Sequence, residues 1–443
     1  MRIASTMMSS NYLRQLNKNY EQYTKLMEQS DGSKLHRASD DVVGYSKYLR
    51  YQNNKISNEQ YQDNVSTAST WMKNADAALV NVTDLLATFK EKTEAAANST
   101  QNESDMKDIA KELLANVQEQ VADLNTQIGD RFLFAGQKDT TMPFSITDEK
   151  MSRGETVTLD EKQQAFFAGA DKWGPENTTL KQMLKLNGDD GGTYYMNVYT
   201  GDIFTEDFVF NGYKNEQEFD PDSQRIATLN TNPTTAVYPI FDINRHFGTD
   251  GVIIDSATSG SGWSTPISVN GATVNLSFAT VEQYIVRYNG DDKYISMVKK
   301  NGGVDQATDT VNVTGYDLNG TDLFDVACGG TGTAMLNQLM YTVAKIESGD
   351  HIWAGREGMT IADTAHTTVL GAETKMAARQ QAYESAAGML TTQNESIVSD
   401  ITDVSSTDVA YLATKLMEYQ TIYSMSLSVG SKILPGSLAD YLN

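Results

Sequence analysis

A long stretch without glycine or proline is the feature that most limits how this chain can fold. From Tyr45 to Ile128 neither residue occurs. Inside a helix, glycine costs about 1 kcal/mol and proline about 3 kcal/mol relative to alanine, so long helices need such stretches. We therefore predict one helix over about residues 46–97, roughly 75 Å long. A second helix is predicted from an N-cap at Ser104 to a stop near Gly129.

Apolar residues in the first of these helices follow the spacing of coiled-coil core positions. They recur alternately three and four residues apart, which places them on one face of a helix. The positions are Val65, Ala68, Met72, Ala75, Leu79, Val82, Leu86 and Phe89. Since so long a helix cannot bury this face by itself, we expect it to pack on other long helices, from this chain or from neighbouring chains.

The same spacing recurs near both ends of the chain. Near the N-terminus the positions are Leu13, Leu16, Tyr20, Tyr23 and Met27, and near the C-terminus they are Val409, Leu412, Leu416, Tyr419 and Tyr423. The apolar pattern before the C-terminal set has a different register, and the shift between Val404 and Val409 predicts a short break. We expect the two ends to pack together and to present apolar surface to other protein subunits.

The middle of the chain has a different composition. Residues 145–331 hold 20 of the 32 glycines and five of the seven prolines. Alternating patterns around turn residues predict hairpins over 194–210 and 284–298, and a further strand over 274–278. The predicted fold class is therefore α+β and multidomain: long coiled-coil-like helices from both termini pack together, with a mainly β central insertion.

These changes in composition predict three domains. Residues 1–44 and 405–443 would form a terminal helical assembly region, and residues 45–144 and 332–404 a helical rod domain. Residues 145–331 would form an outward-facing β-rich insertion of one or two subdomains.

The segment between the first two helices predicts a tight joint with a helix cap. Ser39 is a candidate N-cap, and Asp40 and Asp41 suit the positive end of the following helix. Arg37 can pair with either carboxylate. The segment fits both a structural joint and a contact between subunits.

Few residues in the sequence suggest catalysis or ligand binding. None of the four histidines has the i, i+4 partner of a zinc-binding helix, and Cys328 has no histidine near it in sequence. The glycine-rich run at 329–332 lacks the lysine of a phosphate-binding loop. The aspartates at 189–190 and 291–292 lack the alternating ladder of a calcium-binding loop. We predict no enzymatic activity, no catalytic or metal-binding residue and no cofactor.

Charge and hydropathy argue against several further classes. The formal net charge of −23 disfavours nucleic acid and anionic membranes as partners. No stretch reaches 18 uninterrupted apolar residues, so we expect no membrane insertion. The first residues lack the apolar core of a signal peptide, and a single cysteine forbids an internal disulfide.

Several segments resemble the flagellin superfamily. They are the N-terminal Met-Arg-Ile, the Arg-Ala-Ser-Asp-Asp of the joint at 37–41, and the long second helix. Two more are similar to the flagellar hook-associated protein 3 family of hook–filament junction proteins. These are Gly-Asp-Arg-Phe-Leu-Phe-Ala-Gly at 129–136, followed by Pro143 and Phe144, and the tail at 431–442. The joint departs from the family pattern, with His36 before Arg37 and Val42 after Asp41.

The resemblance implies a structural adaptor of the bacterial flagellum that joins the hook to the filament; the alternative is a flagellin-like filament subunit. It implies an extracellular place at the hook–filament junction and type III export without a cleaved signal peptide. The implied partners are other copies of the chain in a ring, the neighbouring hook-associated junction protein, flagellin, and a cytoplasmic export chaperone on the C-terminal region. A third hypothesis, a metalloprotease in the middle domain, needs a His-Glu-x-x-His motif that the sequence lacks.

Spacing and resemblance together give a set of candidate subunit-interface residues. They are Leu13, Leu16, Tyr20, Tyr23, Met27, Arg37, Asp40, Asp41, Leu412, Leu416, Tyr419, Tyr423, Ile433, Leu434, Leu438 and Tyr441.

Overall fold

A computed structural model describes most of the chain. The described residues are 2–98, 102–166, 182–197, 201–211, 225–228, 247–248, 252–253, 264–295, 310–320 and 334–433. The helices are α1 (Arg2–Glu28), α2 (Val42–Ala96), α3 (Glu103–Leu124), α4 (Glu161–Phe166), α5 (Glu206–Asn211), α6 (Gly315–Asn319), α7 (Met335–Glu347), α8 (His351–Trp353), α9 (Met359–Ser405) and α10 (Val409–Ile433). A 3-10 turn, Gln29–Asp31, follows α1, and a π-helical turn, Ala354–Gly358, joins α8 to α9.

The strands lie between α3 and α6. They are β1 (Gln127–Ile128), β2 (Arg131–Phe132), β3 (Phe144–Ile146), β4 (Met151–Gly154), β5 (Thr156–Thr158), β6 (Gln182–Gly188), β7 (Thr193–Met196), β8 (Asp202–Thr205), β9 (Ala227–Thr228), β10 (Ser264–Val269), β11 (Ala272–Phe278), β12 (Thr280–Gln283) and β13 (Val286–Tyr288). Long helices before and after a β-rich insertion confirm the predicted fold class.

Helix α2 follows directly from the sequence pattern. It runs unbroken from Val42 to Ala96, with a glycine only at 44 in its first turn, and it begins four residues before the predicted start. All eight apolar positions predicted for its buried face are buried, from Val65 at 3% exposed to Phe89 at 0%. The spacing therefore identified the face that packs inside the protein.

The ends of α3 differ from the prediction. Its N-cap is Asn102 and not Ser104: the Asn102 side chain accepts from the Asp105 amide at 2.9 Å, and the Asp105 carboxylate accepts from the Asn102 amide in return. This reciprocal capping box satisfies two amides that a cap at Ser104 would leave open. The helix ends at Leu124 because the chain then turns back as the hairpin β1–β2, with Gly129 at a φ of 64° in the turn.

The chain divides into two compact units, one comprising residues 1–67 with 383–443 and the other residues 68–382. In the first unit, α1 packs along α10, and the early part of α2 packs along the late part of α9. A three-residue interval, 406–408, separates α9 from α10 at the predicted register shift. The three predicted domains, with their boundaries, stay a prediction.

The second unit contains the β-rich insertion. Its main sheet is antiparallel throughout, in the order β10–β11–β6–β7–β8–β9, with β5 also paired to β6. Successive residues of β6 point to opposite faces, so Leu184 joins one apolar cluster and Met183 the other. Both faces of the sheet are therefore covered by apolar packing within this unit.

Of the predicted hairpins, one holds in part and one is wrong. Strands β7 and β8 pair around the turn near Gly201, as expected, but residues 206–211 form α5 and do not extend the strand. Strand β13 pairs with β3 instead of with residues 293–295, and residues 296–298 lie outside the described part of the chain. The predicted strand at 274–278 lies within β11.

Helix α7 joins the insertion to the long helices of the second unit. Almost all its residues are buried, and it packs on α3. The Asn337 side chain donates to the Val286 carbonyl at 3.0 Å and accepts from the Val286 amide at 2.8 Å, which fixes β13 to the helix. The Lys345 ammonium lies 2.6 Å from a Glu155 carboxylate oxygen, and both side chains are largely buried.

Candidate assembly interface

The two chain ends form a helix pair, as the sequence predicts. The rings of Tyr20 on α1 and Tyr423 on α10 lie 5.6 Å apart. The Tyr12 hydroxyl donates to the Ser426 carbonyl across the pair. Gly430 permits this approach, because a Cβ at that position would lie against the Tyr12 hydroxyl. Aromatic contacts and one close approach therefore hold α1 to α10.

This pair has almost no core of its own. Among its described side chains, none on α1 is buried, and on α10 only Leu412, at 5% exposed, and Gly430 are buried. Many large apolar side chains are instead exposed. They are Met7, Leu13, Tyr20 and Met27 on α1, and Val409, Tyr411, Met417, Met425, Leu427 and Val429 on α10. Exposed apolar surface arranged along a helix pair is typical of a site that another protein covers.

Side-chain carboxylates tie the joint between α1 and α2 together, though not as predicted. Asp41 is the cap of α2: its Oδ1 accepts from the amides at 43 and 44 at 3.1 and 3.0 Å. Ser39 does not take that role, because Asp41 stands directly before the helix and its carboxylate adds a favourable charge at the positive end. The Arg37 guanidinium pairs with Glu28 at 2.8 Å, and not with Asp40 or Asp41.

Asp40 has a separate role in the same joint. Its carboxylate lies 3.0 Å from the Lys25 ammonium and also accepts from the backbone amides of His36 and Arg37. The hydrogen bond from Lys25 is the main reason that the pKa of Asp40 lies below its ordinary value. Asp40 therefore links the end of α1 to the loop that follows it.

The two breaks in the helical regions of the first unit are hydrogen-bonded to each other. The Lys34 amide donates to the Ser405 carbonyl at 2.8 Å, and the Thr407 amide donates to the Gly32 carbonyl at 3.0 Å. Ser33 and Ser406 form an antiparallel bridge between these two bonds. The α1–α2 joint and the α9–α10 joint therefore form one connection, which we call the double joint.

The described candidate interface residues occupy different environments. Leu13, Tyr20, Met27, Arg37 and Asp41 are exposed, Leu16, Tyr23, Asp40, Leu416, Tyr419 and Tyr423 are half-buried, and Leu412 is buried. Ile433 ends α10, and Leu434, Leu438 and Tyr441 lie outside the described residues. Their part in contacts between subunits stays a prediction.

Several features of the first unit were not predicted from the sequence. Met417 and Met425 lie off the predicted spacing, yet they are 69% and 63% exposed. Asn58 is buried within α2 and donates to the Gln393 side chain at 3.1 Å. A glycine inside the apolar helix at position 430 is the one signal that could have indicated a close helix approach.

The described residues contain neither a candidate membrane-spanning helix nor a candidate metal site. No described helix combines the length and the apolar character that crossing a bilayer would require. Among these residues, no three His, Cys, Asp or Glu side chains come together in a group that could hold a metal ion.

The N-terminal part of the chain matches the model of a known family. Residues 3–139 match the model of the bacterial flagellin N-terminal helical region. The match covers α1, α2 and α3 and the hairpin β1–β2. The comparison with curated proteins finds no match.

Solved structures of flagellar proteins also show similarity to this chain. A protein of Vibrio parahaemolyticus described as flagellar hook-associated is 14% identical, with a TM-score of 0.40, over 83% of this chain and 100% of that one. Bacillus cereus FlgL is 12% identical, with a TM-score of 0.38, over 80% and 99%. Flagellar hook associated protein-3 of Legionella pneumophila is 10% identical, with a TM-score of 0.38, over 80% and 98%. All three TM-scores lie below 0.5.

Proposed function

We propose that this chain is a structural adaptor of the bacterial flagellum that joins the hook to the filament. The observation that carries the proposal is the α1–α10 pair, which has many exposed apolar side chains and almost none buried. Such a pair gains most of its stability when neighbouring subunits cover it. The match of residues 3–139, which include most of α1 but none of α10, to the flagellin N-terminal helical region supports a flagellar role. The segments at 129–136 and 431–442, which resemble the junction-protein family, favour the junction over the filament.

The proposed partners follow from this role. Other copies of the chain, arranged in a ring, cover part of the α1–α10 pair, and the adjoining hook-associated junction protein and flagellin cover the rest. Before export, a cytoplasmic chaperone holds the C-terminal region, and the chain then passes through the type III channel without a cleaved signal peptide. The assembled protein is extracellular and acts by binding, not by catalysis.

The double joint gives the proposed domain organisation a physical basis. Residues 1–44 and 405–443 would form the part that assembles with neighbours, since both breaks are hydrogen-bonded together at its boundary. Residues 45–144 and 332–404 would form the rod, and residues 145–331 would face outward.

A deletion experiment tests the proposal. Cells that lack this chain should build hooks and shed unassembled flagellin into the medium, and a plasmid copy of the full chain should restore attached filaments. The readout is electron microscopy of cells together with flagellin in the culture supernatant. Attached filaments of normal number in the deletion strain would refute the adaptor role.

The flagellin match also supports the alternative, a filament subunit, because that helical region is named for flagellin. Polymerisation of the purified chain separates the two functions. A junction adaptor should form no long filaments by itself, whereas a filament subunit should elongate on filament seeds. Long filaments composed of this chain alone would favour the alternative.

A further inference from the structure

A cavity of about 230 Å³ lies in the second unit, between α3, α7 and β12. An apolar cavity of about 150 Å³ in a protein interior is enough to hold benzene. The present cavity therefore has room for a larger ring system, such as a fused bicyclic one. Part of its lining is apolar and comes from the two facing helices, with Leu114 on α3 and Met340 and Val343 on α7.

An unused hydrogen-bond acceptor lies in the same lining. Gln283 lines the cavity and is only 1% exposed. Its Nε2 donates to the Asn337 carbonyl at 3.2 Å, but its Oε1 has no partner within the part of the chain that the structure describes. A buried amide oxygen without a partner is unfavourable, so a ligand that brings an N–H or O–H donor would remove this penalty.

Charged side chains of both signs line the cavity. Lys107, Lys111 and Lys150 contribute ammonium groups, and Glu282 and Glu347 contribute carboxylates. Lys150 already pairs with Glu347 at 2.6 Å. The ammonium groups that a negative group of a ligand can reach are therefore those of Lys107 and Lys111 on α3.

The present partners of Lys107 and Lys111 leave these two lysines available to a negative group. Lys107 pairs with Glu103 at 2.6 Å and Lys111 with Asp108 at 2.8 Å, both within α3 and all four side chains exposed. Exposed pairs of this kind contribute little stability, so a carboxylate in the cavity can compete with them.

From these three features we propose that the cavity binds a small aromatic carboxylate that carries an N–H or O–H donor. The ring packs on Leu114, Met340 and Val343, the donor bonds to Gln283 Oε1, and the carboxylate faces the lysines of α3. This site is independent of the proposed assembly function, because none of its residues belongs to α1 or α10.

Three small probes test the proposal on the full chain. Indole-3-acetate has the ring, the donor and the carboxylate; benzofuran-3-acetate replaces the N–H by oxygen; tryptamine replaces the negative group by a positive one. Saturation-transfer NMR with titration measures each affinity. We expect saturable millimolar binding of indole-3-acetate, about fivefold or more weaker binding of the benzofuran, and still weaker binding of tryptamine.

Variants test whether the ligand binds in this cavity. Replacing Lys107 and Lys111 together by glutamate should weaken indole-3-acetate at least about fivefold, whereas Lys138→Glu, on an exposed lysine outside the cavity, should not. Gln283→Met should remove the preference for the indole over the benzofuran. Absence of saturable indole-3-acetate binding, equal affinity of the two ring systems for the unmodified chain, or an equal loss in Lys138→Glu would overturn the proposal. The comparison of ligands on the unmodified chain stays decisive even if Gln283→Met fails to fold.

Discussion

Substitutions at Met417 and Met425 on α10 can weaken assembly without weakening the fold, because these side chains are 69% and 63% exposed in the single chain. Complete burial of a methionine side chain is worth about 2 kcal/mol. Covering the exposed fractions on assembly is then worth roughly 1.4 and 1.3 kcal/mol, about 2.7 kcal/mol together, or roughly a hundredfold in affinity. Replacing both by serine should therefore reduce incorporation strongly while leaving the stability of the isolated chain nearly unchanged.

A competition assay measures this effect directly. The double serine variant and the unmodified chain are produced at equal levels in the deletion strain, and mass spectrometry of isolated flagella gives their ratio. Met142→Ser is the matched control, because Met142 is 51% exposed and lies in the second unit. The variant should be strongly depleted and the control present at its expression ratio. Equal incorporation of the double variant, or a marked loss of its melting temperature, would refute the reasoning.

Three further predictions concern the folded chain. Asp41→Ala should destabilise it by about 1 kcal/mol in urea unfolding through loss of the α2 cap, whereas Ser39→Ala should have little effect. Burial raises the pKa of Glu357 to about 7 from its ordinary 4.5. Its neutral carboxyl therefore contributes fully to the free energy of unfolding below about pH 4.5, and this contribution is lost as the pH rises to about 7. Glu357→Gln should reduce this loss, by at most about 3 kcal/mol, in unfolding curves across this range. Replacing Lys345 and Lys185 together by methionine should cost about 3–5 kcal/mol in the same assay, because these lysines lie 2.6 and 3.1 Å from the buried Glu155 carboxylate and their loss leaves it unpaired. An unchanged stability would show that this carboxylate is not buried in solution.

Features set by local sequence were predictable. Helix α2 needed only the missing glycine and proline and the spacing of its apolar residues, because helix formation and the choice of buried face depend on residues a few positions apart. The error in the N-cap of α3 arose because two neighbouring residues can both cap a helix. Asn102 and Ser104 are both good caps, and the reciprocal bond with Asp105 decides between them.

Features set by distant partners were not predictable in the same way. Strand β13 alternates like one arm of a hairpin, but its partner is β3, far earlier in the chain, and alternation does not identify a partner. Arg37 lies near Asp40 in sequence, yet its guanidinium reaches Glu28. At the candidate interface, spacing gave the face that contains Tyr20 and Tyr423, while the exposure of Met417 follows only from how α10 packs on α1.

Electron cryo-microscopy of intact hook–filament junctions, at a resolution that shows side chains, tests the central claim most directly. Our account predicts this chain at the junction, with Tyr20, Met417 and Met425 buried against neighbouring subunits. The account would be contradicted by a junction that lacks the chain, or by one in which those side chains face solvent.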